Sequence, residues 1–119
     1  MKQTLVLGAS PNENRFSYKA VVLLSEYGHK VLPFGNKKGR IKEHEILSQI
    51  NPAEKVHTIT MYLGAERQKA YYDFILSIKP KRIIFNPGAE NSELANLAAE
   101  QGIEVVENCT LVMLQQGIY

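Results

Sequence analysis

Leu5-Val6-Leu7-Gly8-Ala9-Ser10-Pro11-Asn12-Glu13-Asn14-Arg15-Phe16-Ser17-Tyr18 is the stretch that decides the architecture of this chain. An apolar strand runs into a glycine turn rich in small polar residues, and a helical pattern follows. A glycine at the end of a buried strand lets the backbone approach a phosphate. The first free N–H groups of the next helix, with the positive end of its dipole, then face the anionic oxygens. The dinucleotide fingerprint wants glycine at the three positions held here by Gly8, Ser10 and Glu13, so the stretch predicts a phosphate ligand without predicting NAD.

Outward from this unit, short β-branched or apolar runs recur at Thr4 to Leu7, Lys30 to Phe34, Val56 to Met61, Arg82 to Phe85 and Glu104 to Val106. Their spacing of roughly 25 residues is that of βαβ units. Phe16, Ala20, Leu23, Leu24 and Tyr27 fall on one face of the first intervening helix, and Tyr71, Phe74, Ile75 and Ile78 on one face of another. Gly28 sits where a left-handed cap belongs, Pro80 stops the helix ending near Ile78, and Gly102 closes a short helix opened by Asn91 or Ser92. Residues 35–51 are irregular, with a weak helical stretch at Glu43 to Ile50. The expectation is an α/β doubly wound three-layer sandwich around a five-stranded parallel sheet of order 3-2-1-4-5. Strands 1 and 4 then flank the switch point. The loops beginning at Gly8, Gly35, Met61 and Asn86 share the ligand-binding edge.

With 119 residues the chain is read as one domain, 1–119, able to bury roughly two-thirds of its unfolded surface without staples. A net charge of +2 argues for neither nucleic acid nor a membrane surface as partner. Cys109 is the one cysteine and the N-terminus holds no apolar leader, which together predict a reducing cytoplasm. No apolar run approaches the roughly 20 residues of a membrane span.

An NAD-binding protein presents an acid to the ribose at the end of the second strand. This chain instead reads Pro33-Phe34-Gly35-Asn36-Lys37-Lys38-Gly39-Arg40, followed by Lys42, and its sole aspartate is Asp73. Cations there suit a ribose carrying its own phosphate, as in NADP or coenzyme A. A solvated basic loop is the plainer alternative.

The chain resembles the small, free-standing coenzyme A-binding domains, which are Rossmann-like and similar to the nucleotide-binding part of the succinyl-CoA synthetase alpha subunit. The resemblance rests on Gly8-Ala9-Ser10-Pro11, Ser17-Tyr18, Tyr27-Gly28-His29-Lys30-Val31, Asn86-Pro87-Gly88-Ala89-Glu90 and Gly102-Ile103-Glu104-Val105-Val106-Glu107-Asn108-Cys109. It implies that Gly8, Ala9, Ser10, Arg15 and Ser17 line a pyrophosphate site and that Asn36 and Lys37 lie by the adenosine and its 3′-phosphate. Met61 and Tyr62 would pack against the adenine or the pantetheine arm, unless Met61 is ordinary strand core and Tyr62 a rim residue. Asn86, Pro87 and Gly88 close the fourth strand opposite the first loop, as ligand contacts or as a plain turn. The histidine-bearing loop and second domain of the synthetase are lacking, so its phosphoryl transfer is not carried over.

Cys109 is the only candidate nucleophile, near the start of the last helix with Asn108 or Thr110 as its cap; a small residue filling the top of the sheet is the alternative. His29, His44 and His57 have no recognisable partner. Glu43 with Glu45, and Glu90 with Glu93, are exposed acids near helix starts. No metal-ligand spacing or P-loop is present. The sequence thus reads as a non-catalytic cytoplasmic domain that binds coenzyme A or an acyl-CoA. Its rivals are an NADP-dependent oxidoreductase or nicotinamide redox sensor, and an interaction subunit docking through Leu111 to Leu114. A homodimer is compatible with an edge strand and an apolar last helix.

Overall fold

Strands whose residues are apolar on both sides must be covered on both faces, and that requirement organises the molecule. The computed structural model describes residues 1–119. Strands β1 (Thr4–Leu7), β2 (Val31–Phe34), β5 (Thr58–Met61), β6 (Arg82–Phe85) and β7 (Glu104–Glu107) form one parallel sheet in the order β2-β1-β5-β6-β7. Every residue of β1, β2, β5 and β6 is buried. Leu5, Leu7, Leu32, Phe34, Ile59 and Met61 point to one face, where α3 (Tyr72–Ile78) and α4 (Ser92–Glu100) bring Ile75, Leu94 and Ala98. Val6 and Val31 point to the other, beneath α1 (Phe16–Glu26) and α5 (Thr110–Gln115), with Val21, Leu24 and Leu114. The fold is the expected Rossmann-like one.

Its strand order is not the expected 3-2-1-4-5. The third long strand, β5, pairs with β1 from Thr4↔Thr58 to Leu7↔Met61, on the side away from β2. The reason lies in the connection between β2 and β5, which holds no helix. Leu47 runs beside the outer edge of β2: the Gly35 amide donates to the Leu47 carbonyl at 3.0 Å, and the Leu47 amide to the Pro33 carbonyl at 2.9 Å. With that edge occupied, the next strand adds to the free edge of β1. The switch point therefore lies between β1 and β5 rather than between the first and fourth strands, and the rule that ligands bind at the carboxyl edge applies equally to this order.

Two further expectations are corrected. Glu43 to Ile50 is not helical; β3 (Arg40–Ile41) and β4 (His44–Glu45) form a hairpin, with Lys42 in the left-handed region at φ 56°. Ile41 in the hairpin and Ile46 just after it fill the α1 side of the core. The buried stripe of α1 is Ser17, Ala20, Val21 and Leu24, so Phe16 and Tyr27, expected on the core face, stand 66% and 50% exposed. The helix ends agree with the sequence. Gly28 and Gly102 take positive φ, α3 stops at Ile78 before Pro80, and the Asn91 side chain caps α4 by accepting from the Leu94 amide.

The loops after β1 and β2 touch backbone to backbone. A Cβ on Gly35 would lie 2.5 Å from the Ala9 carbonyl oxygen. Gly8, at φ +99°, brings the chain against Leu63. The outer strand β7 is only half covered: Val105 and Val106 are flanked by exposed Glu104 and Glu107.

At the opposite end of the sheet, Arg82 donates from Nε to the Thr58 hydroxyl at 2.8 Å and stands 4.4 Å over the Tyr119 ring. His29 accepts the Lys2 amide at Nδ1, 3.0 Å away, and His57 Nδ1 contacts the Thr58 hydroxyl at 2.7 Å. Burial, then nearby positive charges, holds both imidazoles below the usual histidine range. Above their unfolded value the neutral form is free to both states. As pH falls from the unfolded value toward the lowered folded values, the unfolded chain takes up protons first and stability drops. The melting temperature should therefore fall from pH 7.5 to 5, and the double variant His29→Asn, His57→Asn should flatten that slope. A second expected outcome concerns the loop contact: Gly35→Ala should cost about 1–3 kcal/mol in denaturant unfolding, because the methyl group meets backbone that has little room to retreat.

Candidate functional site

Where β1, β2 and β5 end, the loops part around a cavity of about 440 Å³. Three segments build it: the turn from Leu7 to Ala9 with Ser10 and Asn14 to Ser17, the turn Gly35-Asn36-Lys37 after β2, and Tyr62 and Leu63 after β5 with Arg67 and Tyr71 beyond. Pro87 reaches it from the loop after β6. Of the residues marked in the sequence, Gly8, Ala9, Ser10, Arg15, Ser17, Asn36, Lys37, Tyr62 and Pro87 come together here.

Met61, Asn86 and Gly88 do not line the cavity. Met61 is fully buried in the sheet core. Asn86 is 2% exposed and its side chain is consumed by structure. Its Nδ2 donates to the Thr60 hydroxyl and the Met61 carbonyl, while its Oδ1 accepts the Thr110 amide that begins α5. It thus ties β5, β6 and α5 together where the sequence suggested a ligand contact. The hydroxyls of Thr60 and Thr110 bond each other at 2.7 Å. The Tyr62 hydroxyl nearby is buried with no hydrogen-bond partner, and burial pushes its pKa up.

The anion-binding potential of the first loop sits one step later than the glycine suggests. The amides of Gly8 and Ala9 both donate to the Phe34 carbonyl, at 2.9 and 3.0 Å, so they are spent on holding the two loops together. The amides of Phe16, Ser17 and Tyr18 have no acceptor within the chain, and no side chain caps α1. Three free donors and the positive end of an 11-residue helix therefore open beside the cavity, with the buried Ser17 hydroxyl among them.

Charge reinforces this. Arg15, Lys37 and Arg67 line the cavity and no Asp or Glu does. None of the three is in an ion pair; the cations that are paired are Lys30, with Glu54, and Lys69, with Glu66. Lys38, Arg40 and Lys42, counted in the same basic cluster by sequence, lie outside it. Arg40 instead donates to the Glu43 carbonyl at 3.0 Å within the hairpin.

Sequence reasoning missed Arg67 and Tyr71, which follow β5 on α2 (Ala65–Gln68) and on the 3-10 turn Lys69–Tyr71. Gln68 is the residue that fixes them. Fully buried, it donates from Nε2 to the carbonyls of Leu63 and Ala89, both at 2.8 Å, and accepts from Asn91 Nδ2 at 2.9 Å. Tyr71 is further held edge-on against Phe34 and Phe74. A polar residue at the end of a four-residue helix carries no periodic signal, and only the partners reveal its role.

Cys109 is itself the residue before the first turn of α5, half-buried, and lines no part of the cavity. His29, His44 and His57 also lie outside it. Half of the apolar stretch suggested for docking is used within the molecule, since Met113 and Leu114 are buried and Leu114 joins the core under α1, whereas Val112 is exposed. No helix is long and apolar enough to cross a membrane.

A parallel, doubly wound sheet with an open cavity at its carboxyl edge defines the Rossmann-like class. Within that class the chain belongs to the CoA binding domain family, whose model matches residues 2–115. The crystal structure of an uncharacterized protein, 47% identical, superposes with a TM-score of 0.96 over 100% of this chain and 98% of its own. A hypothetical protein from Pyrococcus horikoshii OT3 shares 19% identity with a TM-score of 0.87, over 98% of this chain and 83% of that one. A Thermus thermophilus protein shares 21% with a TM-score of 0.87, over 99% and 90%. These last two show the fold alone. No curated protein matches the chain.

Gln68→Leu should expose the role of the buried amide. It strands two carbonyls and the Asn91 amide, so it should cost about 2–3 kcal/mol in urea unfolding, well above the effect of a surface substitution.

Proposed function

We propose that this chain binds coenzyme A or an acyl-CoA in the cavity at the carboxyl edge of the sheet, as a binding domain rather than an enzyme. One observation carries the reading: three unpaired cations and no acid line a cavity that opens on the uncapped N-terminus of α1. Such a site favours a ligand bearing several phosphates, since the cations and the free amides at the helix start all suit one kind of partner, an anionic oxygen. Membership in the CoA binding domain family supports coenzyme A over other phosphorylated nucleotides.

In this reading the pyrophosphate lies against Arg15, Ser17 and the first turn of α1, with Gly8, Ala9 and Ser10 forming the floor. Gly8 and Ala9 serve by allowing close approach, not by donating. Asn36 and Lys37 face the adenosine end. Tyr62 and Leu63 offer apolar surface beside the cavity, and Pro87 marks the side on which the pantetheine arm leaves. The serines that line the cavity, Ser10 and Ser17, have no His, Asp or Glu beside them there to serve as a base, so no reaction is assigned to it.

Calorimetric titration of the nucleotide-free protein with coenzyme A, NADP and NAD at one fixed salt concentration tests the reading. Coenzyme A should bind most tightly, and Arg15→Gln should weaken it roughly tenfold, the loss expected for one charge-assisted contact. Selective NADP binding would replace the reading with a nicotinamide sensor, and no binding by any of the three would refute it.

A further inference from the structure

At the amino edge of the sheet, opposite the cavity, charges and rings gather around two residues that the sheet itself does not hold. From Gln3 onward the first strand is fixed by backbone bonds: the Gln3 carbonyl accepts the amides of His57 and Thr58, and the Thr4 amide donates to the Lys30 carbonyl at 2.9 Å. Lys2 lies outside this ladder. Its amide donates to Nδ1 of His29 at 3.0 Å, and its ammonium donates to the main-chain oxygen of Tyr119 at 2.9 Å. Tyr119 in turn lies beyond the bond from the Ile118 amide to the Met113 carbonyl that closes α5. It is held by Lys2, by the Thr4 hydroxyl and by its ring, which stands 5.0 Å from the His29 ring and 4.4 Å from the Arg82 guanidinium.

His29 is the joint of this set of contacts, and it serves in one protonation state only. To accept a backbone amide, Nδ1 must keep its lone pair, so the imidazole is neutral with its proton on Nε2. A proton on Nδ1 sets donor against donor. It also adds positive charge where the amino group of Met1, the Lys2 ammonium and the Arg82 guanidinium already act on the ring. The acids of this edge are engaged elsewhere: Glu54 bonds Gln3 and Lys30, and Glu104 acts on His57, as does Lys81. The Tyr119 phenol, its pKa raised by burial, stays neutral. His57 differs from His29 in its partner. Its Nδ1 meets the Thr58 hydroxyl at 2.7 Å, and a hydroxyl can either donate or accept, so that contact survives protonation.

We propose that His29 is a pH-sensitive clasp: protonation at Nδ1 releases Lys2, and with Lys2 the hold on Tyr119, so that acid opens the amino edge without unfolding the sheet. Opening lifts the Tyr119 ring from Arg82, which is 8% exposed and whose Nη2 is buried without a hydrogen-bond partner. A buried, unpaired guanidinium nitrogen is costly, so the released state gains by returning it to water. Acid thereby converts a covered cation into an exposed one.

Backbone nitrogen-15 relaxation followed from pH 7.5 to pH 5 tests the clasp. In the intact chain the order parameters of Lys2 and Tyr119 should fall from about 0.85 to below about 0.6, while those of β1 and α1 stay high. His29→Asn should keep both residues ordered at pH 5, because the side-chain oxygen of asparagine accepts the Lys2 amide and does not titrate. His57→Asn should leave the loosening unchanged. The ring resonances of His29, read in the same titration of the intact chain, should shift with the midpoint at which Lys2 and Tyr119 loosen, a comparison that needs no variant. Order retained at pH 5 would overturn the proposal, as would a pH-dependent loosening that persists in His29→Asn. So would a midpoint unlike that of His29, or loosening that comes only together with β1 and α1.

Discussion

The contact on which the site depends is the one between the loops that leave β1 and β2. A single carbonyl, that of Phe34, accepts the amides of both Gly8 and Ala9, and the next residue, Gly35, lies too close to the Ala9 carbonyl to carry a side chain. Two strands of a parallel sheet are already in register through their ladder. This added lock carries the register into the loops, where loss of pairing would otherwise leave the backbone loose. It also decides which groups remain for a ligand: the amides nearest the glycine are used up, and the donors left over belong to the first turn of α1.

The opposite wall is fixed by a different device. Gln68 reaches from a short helix into the core and bonds the carbonyls of Leu63 and Ala89, while Asn91, which caps α4, bonds Gln68 in turn. A buried amide with its hydrogen-bonding groups engaged is rigid, and its removal leaves several unpaired groups at once. The wall therefore owes its shape to polar contacts, whereas the floor owes its shape to the absence of side chains. Between them the cations stand unpaired, because no carboxylate lines the cavity beside them. With a net charge of +2, the chain achieves a cationic site through placement and not through excess.

Most of the architecture was legible in the sequence because strands buried on both faces are short apolar runs, and because helix ends carry Gly28, Asn91, Pro80 and Gly102. The order of the strands was not. It turns on Leu47 lying along the edge of β2, a single residue in a stretch whose pattern resembles a weak helix. The first loop and the Asn36-Lys37 turn were legible for the same reason that they line the cavity: each follows a strand directly. Arg67 and Tyr71 were hidden because they stand several residues beyond β5, and Asn86 was misleading because a polar residue at a strand end serves equally well to tie down a helix. Phe16 and Tyr27 have helical spacing with Ala20 and Leu24, but the buried stripe of α1 includes Ser17 and Val21, which turns it away from both of them.

β7 carries Glu104 and Glu107 at its two ends, around a half-covered Val105-Val106 pair. A free strand edge is a template that another chain can extend, and an unprotected one invites uncontrolled assembly. A second β7 laid antiparallel in register would bring each glutamate opposite a glutamate of its neighbour, at separations where like charges repel. The carboxylates thus act as gatekeepers of solubility on the side of the sheet farthest from β2, whose own edge is guarded by Leu47. One border of the sheet is closed by a strap of backbone and the other by charge.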